Sequence, residues 1–229
     1  MIVGGFQRFS LIDYPGKSSA VVFTRGCNFR CRYCHNPELV IPEEYAPEIP
    51  LSEIFGFLER RRNRLDAVCV TGGEPTEHAD LAEVLAGIKD MGFSVKLDTN
   101  GGRPEALEAV VRGGLVDYLA MDIKAPLDDY ARVTGRPASP EIIKRSIDLI
   151  MNSGVEYEFR TTVAAPLIRA DDLIKIGRTI EGAERYYIQN FVPSKSIDAA
   201  SAGERPYPAE VLRELAGEME NYVARCGVR

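Results

Sequence analysis

Short apolar runs alternate with amphipathic stretches along almost all of this 229-residue chain, and that alternation narrows its possible folds more than any other feature. Residues 19–24 (SAVVFT) read as a buried strand, and further strands are expected at 67–71, 94–98, 118–123, 157–163 and 186–191. Between them, residues 51–62, 80–91, 104–111, 140–152 and 171–180 carry helical patterns, and a last helix is expected over 208–224. The first is typical: Leu51, Ile54, Phe55 and Leu58 fall on one face and Ser52 stands near its start. About six βα units in series imply an α/β fold with a parallel sheet and crossover helices. No linker rich in Gly, Ser or Pro divides the series. Residues 1–229 therefore read as a single domain, with 1–18 as an N-terminal extension and 192–229 as a C-terminal loop and helix.

In βα-barrel folds the chemistry sits at the C-terminal ends of the strands. The polar stretches Gly72-Gly73-Glu74-Pro75, Asp98-Thr99-Asn100-Gly101, Asp122-Ile123-Lys124 and Gln189-Asn190 all fall at strand ends. So does a loop carrying three cysteines. Separate polar motifs converging on one rim point to one site.

The cysteines Cys27, Cys31 and Cys34 lie within eight residues, spaced C-x3-C-x2-C, with Tyr33 before the last. Three thiolates on one short loop can hold three corners of a [4Fe-4S] cluster, which normally takes four ligands, so one iron stays open to a substrate or cofactor. Structural zinc is the alternative, but zinc usually takes two separated ligand pairs, and His35 is too close to Cys34 to complete a tetrahedron without strain. A redox dithiol with a third cysteine nearby is the other. Cys69 sits in the apolar run 67–70 and reads as a small core residue. Cys226 falls in the expected last helix, away from other ligands.

Five cysteines is an odd number, and three are too close together for a disulfide framework, which favours a reducing, cytoplasmic setting. The N-terminus has no basic region followed by an apolar core, and no apolar run approaches the roughly 18 residues of a membrane helix. No membrane partner is expected. A net charge of −6 argues against a nucleic-acid partner; the basic run 60–64 reads as a solvated helix end.

Each remaining motif allows two readings. Residues 72–75 form a turn, or let backbone approach a ligand closely. Asp98-Thr99-Asn100-Gly101 caps a helix, or belongs to the site. Asp122 and Lys124 form a surface ion pair, or belong to the site. Arg160 binds a ligand, or pairs with Glu156 or Glu158. Asp13-Tyr14-Pro15-Gly16 is a turn opening the first strand, or lines a path for substrate. His78 reads as a solvated loop residue.

The stretch from Gly26 to Asn36 (GCNFRCRYCHN), followed one βα unit later by Gly72-Gly73-Glu74-Pro75, resembles the radical S-adenosylmethionine (SAM) enzymes. That resemblance implies a partial, TIM-like (β/α)6 barrel, a [4Fe-4S] cluster on Cys27, Cys31 and Cys34, and Tyr33 near the adenine of SAM. It also implies that the backbone of Gly72, Gly73 and Glu74 holds the methionyl amino group. Asp98-Thr99 and Asp122-Ile123-Lys124 resemble the glycyl-radical-enzyme activases. There the two aspartates form a monovalent-cation site and the lysine reaches the SAM carboxylate, with Arg160 a further candidate SAM contact. Residues 10–17 (SLIDYPGK) and 34–39 (CHNPEL) resemble the activating proteins of anaerobic ribonucleoside-triphosphate reductase. The implied activity is reductive cleavage of SAM to a 5′-deoxyadenosyl radical, which takes hydrogen from a backbone glycine of a partner enzyme. Flavodoxin or ferredoxin would be the electron donor, and Asp13 and Gly16 would line the path of the substrate loop. A radical SAM enzyme acting on a small molecule, and a non-catalytic iron–sulfur carrier or zinc module, are the competing readings.

Overall fold

The computed structural model of the protein describes residues 1–192 and 205–229. Six strands run parallel in sequence order: β2 (Ser19–Thr24), β3 (Ala67–Gly72), β4 (Ser94–Thr99), β5 (Tyr118–Asp122), β6 (Glu156–Val163) and β7 (Tyr186–Asn190). β1 (Val3–Ser10) adds to one edge antiparallel to β2, and β8 (Cys226–Val228) adds to the other parallel to β7. The sheet is thus eight strands in the order β1 to β8, curled and open, with β1 and β8 as its edges among the described residues. The six parallel strands make the partial barrel that the alternating pattern implied.

Helices α1 (Leu51–Glu59), α2 (Leu81–Asp90), α3 (Pro104–Arg112), α5 (Pro140–Met151), α6 (Ala170–Thr179) and α7 (Ala209–Met219) cover the outside. Each buries one stripe, such as Ile54, Phe57 and Leu58 on α1 or Ile143, Ile147 and Ile150 on α5. The 3.6-residue period places these side chains on a single face, and burial removes it from water. A one-turn helix, α4 (Tyr130–Thr134), follows β5 and has no period long enough to be read from sequence.

Three expectations need correction. Residues 3–10, expected in an extension, form β1; Gly4 and Gly5 dilute its pattern, and only Val3 and Ser10 are buried. Helix α1 ends at Glu59 instead of residue 62, so the basic run lies in the turn beyond it, where Asn63 has φ 61°. The last helix stops at Met219, and Cys226 lies in strand β8 rather than in a helix. Three residues carry no readable period. The strand fits because Gly227 has no side chain: a Cβ there would come within 2.9 Å of the Tyr187 ring. The loop at 192–207 lies largely outside the described residues.

Candidate functional site

Parallel register brings the C-terminal ends of β2 to β7 to one rim, and two glycines weld the first two loops together there. Gly73 N–H donates to Thr24 O at 2.8 Å, and Glu74 N–H donates to Gly26 O at 2.8 Å. A Cβ on Gly73 would lie 2.0 Å from Gly26 O, and one on Gly72, whose φ is +115°, would lie 2.4 Å from Thr24 N. These positions require glycine because the loop after β3 rests directly on the loop after β2.

The Glu74 side chain is 1% exposed. Its Oε1 accepts from Thr76 N–H (3.1 Å), Thr76 Oγ1 (2.5 Å) and Thr99 Oγ1 (2.7 Å), while Oε2 accepts from Asn100 N–H (2.7 Å). Burial raises its pKa, and these donors oppose the rise. One buried carboxylate therefore fixes the loop after β3 to the end of β4.

Cys27, Cys31, Cys34 and Tyr33 line one cavity with residues 72–74, Asp98, Asp122 and Lys124. Arg30 N–H and Arg32 N–H donate to the carbonyls of Thr134 and Val133, so α4 braces the cysteine loop from behind. Cys27 Sγ accepts from Phe29 N–H (3.4 Å) and from the Asn100 amide (3.7 Å), which also donates to Asn28 Oδ1 at 2.7 Å. Burial pushes the thiols of Cys27 and Cys31 up to about 12 and about 11, and raises Cys34 as well. Among the described residues no three His, Cys, Asp or Glu side chains are close enough to hold a metal ion as they stand. The thiols share a cavity without forming a ready-made cage. As a donor set they still suit an iron–sulfur group: three thiols, amide donors aimed at sulfur, and a loop braced by a helix. Metal coordination would deprotonate thiols that burial alone keeps neutral. The Tyr33 hydroxyl is buried in the cavity wall and has no hydrogen-bond partner among the described residues.

Below the rim the barrel lumen holds a connected set of charges. Lys96 pairs with Asp98, and Arg160 bridges Asp98 (3.1 Å) and Asp122 (2.8 Å). Lys124 pairs with Asp122 at 3.0 Å. Glu158 receives two bonds from Arg229, at 2.7 and 2.9 Å, and one from Tyr118 Oη at 2.9 Å. Burial opposes the charge on Asp122, yet Arg160 and Lys124 hold its carboxyl well below the usual carboxylate range. Burial likewise disfavours charge on Lys124, but Asp122 foremost keeps its pKa well above normal. The strand period of two explains much of the arrangement, since Lys96 and Asp98 on β4, and Glu158 and Arg160 on β6, each stand two residues apart on one face, while Lys124 follows Asp122 just beyond the end of β5. Among the described residues, four cations face three carboxylates in this set, leaving one positive charge over.

Cys27, Cys31, Cys34, Tyr33, Gly72, Gly73, Glu74, Asp98, Asp122 and Lys124 come together at this cavity, with Arg160 directly behind. Asp13 and Gly16 do not. Their turn joins antiparallel β1 to β2, and Ser19 pairs with Ala67 at the start of β3, so the turn lies at the N-terminal end of the barrel. The six residues of β2 put it about 17 Å from the rim. Arg160 reaches Glu158 only at 4.0 Å, and Glu156 pairs with Arg185 instead. His78 is half-buried, with its Nδ1 3.5 Å from Ile2 N. Sequence reasoning misses Lys96, Asn28 and Arg229; it names Glu158 only as a pairing partner for Arg160 and Asn100 only as part of the motif after β4. Cys69, expected as plain core, stands in the lumen, 3.8 Å from Asp98 Oδ1 and 3.9 Å from Lys96 Nζ. The opposite-charge pairs at i, i+2 are the available signal for Lys96 and Glu158.

Residues 21–181 match the radical SAM superfamily. A Methanocaldococcus jannaschii protein, provisionally named as a glycyl-radical enzyme activating enzyme, is 35% identical over 235 residues, covering 100% of this chain and 95% of that protein. The pyruvate formate-lyase-activating enzyme of Staphylococcus aureus is 30% identical over 189 residues, or 78% of this chain and 74% of its own length. Among solved structures, Streptococcus suis SuiB bound to S-adenosylmethionine superposes on 91% of this chain with a TM-score of 0.70 at 14% identity. This chain spans only 49% of SuiB. A domain of a pyruvate-formate lyase-activating enzyme from Bacteroides vulgatus gives a TM-score of 0.58 at 17% identity, covering 72% of this chain and 99% of that domain. At these identities the structural likeness is one of fold. By the match over most of its length and by its relatives, the chain belongs to the radical SAM superfamily and is closely related to the glycyl-radical-enzyme activating enzymes.

Proposed function

We propose that this protein is a radical SAM activase that places a glycyl radical on a partner enzyme, namely an anaerobic ribonucleotide reductase. The observation that carries the reading is the pairing of a three-cysteine loop with the lumen set directly beneath it, whose described residues leave one positive charge over. A methionyl carboxylate is the anion that would balance that charge.

Cys27, Cys31 and Cys34 would hold the [4Fe-4S] cluster. When bound, the cluster supplies the electron that splits the SAM sulfonium into methionine and a 5′-deoxyadenosyl radical, chemistry that belongs to the cofactor rather than to side chains. The protein's residues bind and orient. Backbone of Gly72, Gly73 and Glu74 would take the amino group, with Glu74's four hydrogen bonds holding that loop rigid. Lys124 and Arg160 would take the carboxylate, and Tyr33 would lie against the adenine. A monovalent cation between Asp98 and Asp122 would have to share both carboxylates with Arg160. Flavodoxin or ferredoxin would deliver the electron. No described helix is long and apolar enough to cross a membrane.

The motifs at 10–17 and 34–39 favour the reductase as partner, while one named relative is provisionally a glycyl-radical enzyme activating enzyme and another a pyruvate formate-lyase-activating enzyme. The test is anaerobic mixing of reconstituted protein, SAM and dithionite with anaerobic ribonucleotide reductase, read by electron paramagnetic resonance. A glycyl-radical doublet is expected. Formation of 5′-deoxyadenosine with no doublet on any glycyl-radical enzyme would transfer the assignment to a small-molecule substrate.

A further inference from the structure

The lumen charges continue past the residues that would face SAM, down to the last strand of the sheet. Glu158 stands one step below Arg160 on the same face of β6, 1% exposed, with its carboxylate 4.0 Å from the Arg160 guanidinium. Ala120, a small residue, stands opposite Glu158 in the register. A buried carboxylate so placed competes with Asp98 and Asp122 for Arg160. What satisfies it instead is Arg229. Backbone pairing puts this residue beside β7, with Arg229 N–H donating to Ile188 O at 3.0 Å and Asn190 N–H donating to Arg229 O at 2.9 Å. Its guanidinium lies over the Tyr187 ring, 3.6 Å from the centroid, and reaches both oxygens of Glu158. Tyr118 Oη completes the carboxylate's partners. A two-point guanidinium–carboxylate pair fixes direction as well as charge.

We infer that Arg229 is a positioning residue for SAM binding: by neutralising Glu158 it leaves the Arg160 guanidinium directed up toward Asp98, Asp122 and the SAM carboxylate. The inference rests on the reading of this cavity as a SAM site with Arg160 at its base. Without Arg229, Glu158 keeps a buried charge whose nearest cation is Arg160. The guanidinium then swings down one strand step, and the lumen loses the surplus positive charge that a carboxylate ligand would meet. Neither effect requires any change at the cysteine loop.

The experiment is SAM affinity of the cluster-loaded protein, measured by equilibrium dialysis without reductant, alongside iron content. Arg229→Gln should raise the SAM Kd about tenfold with iron content unchanged. Arg229→Lys, which keeps the charge but loses the two-point geometry, should raise it about threefold. The deciding variant is the double substitution Glu158→Gln with Arg229→Gln. With the competing carboxylate gone, SAM should bind about fivefold tighter than to Arg229→Gln alone. A residue that merely glues β8 to the sheet would give no such recovery. An unchanged Kd in both single Arg229 variants, or no recovery in the double, overturns the inference. Arg160→Met separates this from failure of the site reading: if that variant also binds SAM normally, the assignment of Arg160 to the site falls, whereas weak binding there with normal binding in the Arg229 variants removes only the role of Arg229.

Discussion

The two ends of the barrel are built from the same strands and have opposite characters. At the C-terminal rim the loops after β2, β3 and β5 meet through backbone, with glycines where no Cβ fits, and a buried glutamate ties the loop after β3 to the end of β4. At the N-terminal end the turn after β1 folds under the sheet as a plug. Tyr14 packs on Ala67 and Tyr118, with its ring 5.7 Å from that of Tyr118, and Lys17 Nζ bonds Ser94 Oγ. Burial pushes the Tyr14 hydroxyl up to about 12. One end gathers polar groups around a cavity, and the other uses aromatic surface to close the barrel. Residues near in sequence, such as Asp13 and the cysteine loop, are separated by the strand between them.

The largest effect that can break this contrast is at the cysteines. Cys31→Ala should abolish cluster assembly, dropping anaerobically reconstituted iron from about four per chain to background. Cys69→Ala, in the lumen, and Cys226→Ala, at the sheet edge, should both keep it. Full iron in Cys31→Ala would remove the rim's central role.

Next come two glycines with left-handed or crowded backbone at opposite ends. Gly73→Ala drives a Cβ to 2.0 Å from Gly26 O, so the two rim loops must separate. Overpacking against backbone of this kind costs about 3 kcal/mol, equivalent to a fall of roughly 6–12 °C in Tm for a chain this long. Gly16 has φ +71°, but a Cβ added there would meet nothing within 4 Å, so Gly16→Ala costs only the backbone strain of about 1–2 kcal/mol. Thermal melts with SAM titrations compare them: Gly73→Ala should lose both stability and SAM binding, Gly16→Ala stability alone. Equal SAM loss in both would mean the ends are coupled.

The parts of this contrast that are legible in sequence are those with strong local chemistry. The three cysteines, Gly72-Gly73-Glu74-Pro75 and the aspartates at the ends of β4 and β5 can be placed because six parallel strands send their C-termini to one side. Strands β1 and β8 are not legible, the first diluted by glycines and the second too short to show a period. The lumen charges are hidden for a different reason. Buried parallel strands read as apolar runs, so Lys96 and Glu158 look like irregular positions rather than one face of a charged interior. The position of Asp13 fails on direction: a six-residue strand carries the chain from one end of the barrel to the other.

The smallest expected effect is therefore at Asp13, and it is also the sharpest test of the two-ended picture. Asp13 accepts from Ser10 Oγ, which itself accepts from Ile12 N–H at 3.2 Å, so the side chain steadies the turn that carries Tyr14 under the barrel. Removing one part-buried hydrogen bond costs about 1 kcal/mol, a shift of roughly 2–4 °C in Tm. The nearest rim loop is a strand-length away, beyond direct contact with SAM or with a substrate glycine bound there. Asp13→Ala should then leave SAM cleavage and glycyl-radical yield unchanged per folded molecule, and the ratio of the two should match that of the wild type. Measuring both in one reaction, 5′-deoxyadenosine by chromatography and the radical by spin quantitation, removes any dependence on protein concentration. A selective loss of radical yield with SAM cleavage intact would break the picture, because it would place a partner contact on the N-terminal end and make the plug part of the recognition surface.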